Sequence, residues 1–124
     1  MKKNIENQQD IELLVRTFYS KALEDQLLAP HFVGIDFEHH FPRMFDFWGF
    51  ILLGKEGFTG NVFDKHRNLN VGGEEFTRWV ELFHQTVDEL FEGEIAERAK
   101  SQAALLGYTF SQKMQYMGIG KWAK

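Results

Sequence analysis

The sequence predicts an all-α protein, and two observations carry that prediction. Apolar residues recur at spacings of three and four over several long stretches, the period of an amphipathic helix. Thirteen Phe, three Trp and three Tyr supply the bulk of the core, while the β-branched residues that favour strands are modest in number.

Taken in order, Ile11, Val15, Phe18 and Ala22 share one face, with Leu14 on one flank and Tyr19 and Leu23 on the other, which predicts a first long helix. Asp25 to Gly34 sustains no period and contains Ala29-Pro30, so turns and a short helical piece are expected there, carrying Phe32 into the core. From Phe37 the period returns. At about 100° per residue, His40, Met44, Phe47 and Ile51 form a narrow stripe flanked by Phe37, Phe41 and Trp48, while His39 and Asp46 point the other way. Pro42 suits a first helical turn better than an interior, so the regular helix is expected to begin close to it, with His40 at its entrance.

Gly54, Gly57, Gly60, Gly72 and Gly73 punctuate the next stretch, which has no apolar period and reads as an extended loop with a function. Phe58, Val62, Phe63 and Leu69 argue against disorder there. Glu74 and Glu75 then suit the positive end of a helix that continues through Phe76, Trp79, Phe83, Val87 and Leu90 and is ended by Gly93. A last long helix carries Ile95, Ala99, Ala103, Leu106, Phe110 and Met114 on one face, and the tail from Gly118 is expected to fray. No repeat or low-complexity segment interrupts this order, and one domain spanning 1–124 is expected.

Composition removes several function classes. A net charge of -4 with scattered Lys and Arg lacks the basic footprint of nucleic-acid binding. The apolar run Phe47 to Leu53 is too short to cross a bilayer and Met1 to Gln9 has no signal-peptide core, so no membrane association and a cytoplasmic location are expected. The absence of Cys excludes disulfides, zinc-thiolate sites, iron–sulfur clusters and covalent haem attachment through C-x-x-C-H.

Chemistry therefore falls chiefly to five histidines, beside the carboxylates and Tyr. His39 and His40 diverge by about 100° on a helix and cannot share an ion, and no H-E-x-x-H, G-x-S-x-G, Walker or G-x-G-x-x-G motif occurs. By composition alone His66, in Asp64-Lys-His-Arg-Asn-Leu69, is a surface-loop residue, and His40 is a polar group at a helix start. Tyr19 and Trp79 read separately as core aromatics with a polar tip, and His31 and His84 as rim residues without a role.

Together, however, these positions carry a resemblance. Phe18-Tyr19-Ser-Lys, Leu28-Ala-Pro-His-Phe32, His40-Phe-Pro-Arg-Met44-Phe-Asp-Phe-Trp48 with Leu52-Leu53-Gly54, Lys65-His66-Arg-Asn-Leu69, and Trp79-Val-Glu-Leu-Phe83 occur in the order and approximate spacing of the group III truncated haemoglobins. The chain resembles that family from about Ile11 to Met114. Gly54, Gly57 and Gly60 do not reproduce the glycine motifs of the other truncated globin groups, and Arg67 beside His66 is given no role.

The resemblance implies a globin-like, shortened two-over-two helical sandwich holding one non-covalent haem b, with His66 as the proximal iron ligand and Tyr19, His40 and Trp79 as the distal set. A phenol hydroxyl and an indole N–H suit that position, since each donates a hydrogen bond to a ligand that gains negative charge. For His40 a gate is favoured over a third donor or a sixth iron ligand, and Arg43 pairs with a haem propionate or stays solvated. The slot is expected from Phe32, Phe41, Met44, Phe47, Trp48, Phe63, Leu69, Phe83 and Met114. The implied ligands are dioxygen, nitric oxide and carbon monoxide, with nitric oxide or peroxide detoxification as the associated chemistry. A redox cycle requires a separate reductase, because the chain has no room for a flavin or nicotinamide module. The contrasting reading is a haem-free helical module that recruits a protein or apolar ligand, for which the co-occurrence of Tyr19, His40, His66 and Trp79 is coincidence.

Overall fold

Asn7 starts the first helix, its side-chain oxygen accepting the N–H of Asp10 at 2.9 Å, and α1 runs Gln8–Ala22. In the computed structural model, which describes residues 2–56, 58 and 69–123, a 3-10 turn Ala29–Phe32 follows, then α2 (Phe37–Leu53), α3 (Gly73–Leu90), α4 (Glu94–Met117) and a 3-10 turn Gly120–Trp122. The described residues contain helices and turns and no strand. None of their helices is long and apolar enough to cross a membrane.

The face of α1 read from its period is the buried one: Ile11, Leu14, Val15, Phe18 and Ala22 all lie inside. α2 departs from expectation at its start. Asp36 caps it, accepting the His39 N–H at 3.3 Å, so the helix begins at Phe37 and Pro42 falls inside it rather than in its first turn. Pro42 has no N–H to donate to the Glu38 carbonyl four residues back, and Glu38 is exposed, where water can serve instead. His40 accordingly lies within the helix and not at its entrance.

α2 also carries two apolar faces. Phe41, Phe45, Trp48 and Leu52 are buried, whereas Met44, Phe47 and Ile51, on the stripe that periodicity singled out, are only partly covered and His40 is exposed. The two faces are about 100° apart around the axis, so one meets the core and the other is left to line something else. Gly54, at φ 70, ends the helix in the left-handed region, where a side chain would be strained.

α1 packs on α2 and α3, α3 packs along α4, and α2 reaches across to α4, giving two helix pairs laid over one another. Phe83 is the hub, 4.8 Å from Trp48 in a stack, 5.7 Å from Trp79 in another, and 5.4 Å from Phe18 edge-on. Ala96, Ala99, Ala103 and Gly107 give α4 a small-residue face toward its neighbours. The tail does not fray: Lys121 N–H donates to the Val71 carbonyl at 2.9 Å and Trp122 stacks on Phe76 at 6.4 Å.

Candidate functional site

The second face of α2 lines a cavity of about 640 Å³, a volume in the range of cofactor sites. Met44, Phe47 and Trp48 form its α2 wall, with Phe32 from the first 3-10 turn and Leu69 from the segment before α3. Tyr19 reaches it from α1 and Trp79 from α3, while His40 and Arg43, both exposed, stand at its rim. Three helices thus bring Tyr19, His40 and Trp79 to one cavity.

Three residues expected in the wall stand behind it. Phe41 is buried against the rings of Tyr19, Phe37 and Phe45, and Phe83 is screened by Trp48 and Trp79 stacked upon it. Met114 packs with Val71 in a smaller cluster near the C-terminus. Periodicity assigns each to an inward face but does not separate a face that meets a cavity from one that meets other side chains. Phe63 and His66 lie outside the described residues, as does Arg67. The flanking Phe58 and Leu69 both line the cavity.

The Tyr19 ring, which lines the cavity, packs edge-on against Phe18 at 4.8 Å and Phe32 at 5.8 Å. Burial pushes its pKa up to about 12, and a hydrogen bond from the Trp79 side chain acts in the opposite sense without cancelling the rise. The indole N–H can only donate, so it occupies an acceptor position of the phenol oxygen and leaves the phenol's own proton to be donated elsewhere.

Sequence reasoning missed three polar residues of the site. His39, expected to face away, lines the rim beside His40, the two rings 5.4 Å apart at 85°. His31, given no role, also lines the cavity, its Nε2 3.5 Å from Glu75 Oε2. Glu75 is 2% exposed: its Oε1 accepts the Gly72 N–H at 2.8 Å and its Oε2 pairs with Lys121. Burial alone would raise the Glu75 pKa, but Lys121 and the backbone N–H groups outweigh it and hold the carboxyl below its ordinary value. The spacing Gly72-x-x-Glu75 was the available signal, since an acid at the third helical position reaches back to the N–H before the helix. No group of three or more His, Cys, Asp or Glu able to hold a metal ion occurs among the described residues.

A short helical sandwich enclosing an aromatic cavity, with a phenol, an indole and an imidazole at its wall, is the architecture of a globin. Residues 3–109 match the family model of the bacterial-like globins, and the chain belongs to that family. It is similar to "Group 3 truncated hemoglobin ctb" of Campylobacter jejuni, with 28% identity over 123 residues covering 94% of this chain and 96% of that protein. Its fold is likewise similar to the crystal structure of a group III truncated haemoglobin from Campylobacter jejuni. That match has a TM-score of 0.82 and 26% identity over 92% of this chain and 95% of the other.

Proposed function

We propose that the chain is a single-domain globin that holds haem b non-covalently in this cavity and binds dioxygen, nitric oxide and carbon monoxide there. The observation that carries the reading is the composition of the cavity wall. Flat aromatic rings and Met44 offer the apolar slot a macrocycle needs, while Tyr19 and Trp79 add the few convergent polar groups that distinguish a binding site from a packing defect. Bound haem would supply an iron atom that takes a diatomic ligand and changes oxidation state.

The residues have separable tasks. His66 is the proximal ligand, and Phe58 and Leu69, the described residues before and after it in the sequence, line the cavity. Phe32, Met44, Phe47, Trp48 and Leu69 wall the slot. Tyr19, a phenol protonated across the physiological range at its ordinary pKa of 10.0 and more firmly so at the about 12 to which burial raises it, is oriented by Trp79 and is an intact donor toward the cavity. Exposed at the rim, His40 suits a gate better than a fixed donor. Arg43, whose guanidinium lies 5.1 Å over the Phe58 ring, stands where it can meet a propionate carboxylate. A polar wall of this kind suits slow release or redox turnover of nitric oxide or peroxide, which would draw electrons from a separate reductase.

Titration with hemin, followed in the ultraviolet-visible for the ferric, dithionite-reduced and carbon monoxide states, tests the reading. A Soret band saturating at one equivalent and shifting at each step is expected, with stable binding lost in His66→Ala. Tyr19→Phe should keep haem and raise the dioxygen dissociation rate by about tenfold, the loss of one hydrogen bond to a charged acceptor. No Soret band on adding hemin would overturn it in favour of the haem-free module.

A further inference from the structure

Glu75 joins three parts of the chain that are far apart in sequence: His31 beside the first 3-10 turn's Phe32, Gly72 at the start of α3, and Lys121 of the C-terminal turn. The C-terminal turn lies beyond residues 3–109, the span of the family match, yet it packs directly behind the cavity wall. Lys121 N–H donates to Val71 O at 2.9 Å, and Gly120 approaches so closely that a Cβ there would stand 2.6 Å from the same carbonyl and 3.3 Å from that of Leu69. Leu69, Val71, His31 and Glu75 all line the cavity. A carboxylate in so little solvent requires its partners, so the cluster is held together by the cost of leaving that charge unpaired.

We propose that Glu75 and Lys121 are positioning residues: they clamp the C-terminal turn onto the Leu69–Val71 wall and so govern how long the cavity retains its haem. The inference rests on the haem reading above. Glu75 stands one helical turn before Trp79 on α3, and the clamp acts through the backbone of the Leu69–Val71 wall, not through contact with a bound gas. Its loss therefore speeds departure of the whole cofactor.

The test is the rate of hemin transfer from the ferric protein to an excess of apomyoglobin. Glu75→Gln and Lys121→Met should each accelerate loss about tenfold, as should Gly120→Ala, which drives a Cβ into the Val71 carbonyl from a φ of 64. Lys121→Arg should restore the wild-type rate to within about twofold, since it keeps the charge and the donor. Asn4→Ala serves as the control, because it removes the cap on the Ala96 N–H, where none of Asn4, Ile5 and Ala96 lines this cavity, and should lower thermal stability while leaving hemin loss unchanged. Wild-type rates in both Glu75→Gln and Lys121→Met, or equal acceleration in Asn4→Ala, would overturn the clamp while leaving the haem reading intact. Failure of the wild-type protein to take up hemin would remove both.

Discussion

Arg78 Nε donates to Asp25 Oδ1 at 2.7 Å, fastening α3 to the corner after α1. Asp25 is 9% exposed at its side chain and also accepts the N–H groups of Leu27 and Leu28, so the carboxylate organises the turn as well as the ion pair. Burial alone would raise its pKa, but Arg78 and the two N–H groups together hold it below the ordinary value. Arg78→Met strands this charge and should cost about 2 kcal/mol at neutral pH, less than a fully buried pair because the guanidinium is partly solvated. Chemical denaturation at pH 7 checks the magnitude.

Acid should weaken the fold through the same group and through Glu75. A carboxyl whose folded pKa is depressed contributes stability above its unfolded value, and that contribution is lost as pH falls through the folded one. Both shifts are downward, so unfolding free energy should be flat near neutrality and decline below about pH 4 to 5. Asp25→Asn should lower the plateau and flatten the decline. A wild-type profile that falls already between pH 7 and 6 would assign the loss to histidines instead.

Tyr19 sets the opposite limit. Its phenol ionises at 10.0 when unfolded and at about 12 when folded, so its stabilising contribution is complete below pH 10 and is lost as pH rises toward 12. Two units correspond to about 2 to 3 kcal/mol at the upper end. Tyr19→Phe keeps the ring contacts and should remove this part of the alkaline decline, measurable by denaturant midpoints between pH 9 and about 11.5. An unchanged alkaline slope in the variant would place the Tyr19 hydroxyl in solvent.

What the sequence made legible was local. The face of α1 follows from Ile11, Leu14, Val15, Phe18 and Ala22 because a helix with one apolar stripe has one way to bury it. α2 has two such stripes, and only the crossing of other helices decides that Phe41 and Phe45 meet the core while Met44 and Phe47 meet the cavity. Its start at Phe37 runs against the aversion of Pro42 to helix interiors, because Asp36 accepts the His39 N–H and caps the helix ahead of Pro42. The convergence of Tyr19 with Trp79 needs α1 against α3, a relationship carried by family resemblance and not by any period in the chain. Glu75 resembled an ordinary acid in a helix's first turn, and nothing local indicates that Lys121, 46 residues away, would enclose it.

The first turn of α4 is capped from the far end of the chain. Gly93 precedes that helix at φ 128 without a side chain to offer, and the Asn4 side-chain oxygen accepts the Ala96 N–H at 3.0 Å instead. The same oxygen accepts the Ile5 N–H at 2.9 Å, and Lys3 O accepts from Glu92 at 2.9 Å, which lays the N-terminal strap across the corner between α3 and α4. Asn4→Ala should therefore cost about 1 to 2 kcal/mol, the upper figure applying if buried Ile5 loosens with it. Amide hydrogen exchange should quicken at Ile5 and Ala96 before it does in the middle of α4. Uniform quickening along α4 would mean that Asn4 is not the cap.

Gly107 brings α4 against α3 at one end of the cavity: a Cβ built on it would lie 2.7 Å from Val80 Cγ2, closer than side chains tolerate. Two effects compete in Gly107→Ala. Helix propensity favours Ala by about 1 kcal/mol, whereas forcing a methyl into a filled contact costs about 1 to 3 kcal/mol. The Val80 methyl sits on a stiff β-branched side chain and cannot swing clear cheaply, so overpacking should win and the variant should be less stable by about 1 kcal/mol. Removing the obstacle should reverse the sign. In Val80→Ala the added methyl enters vacated space, and Gly107→Ala should then stabilise, giving a double-mutant coupling of about 2 kcal/mol. Thermal unfolding of the four proteins reads this directly, and additive effects of the two substitutions would show that α3 and α4 separate freely at this contact.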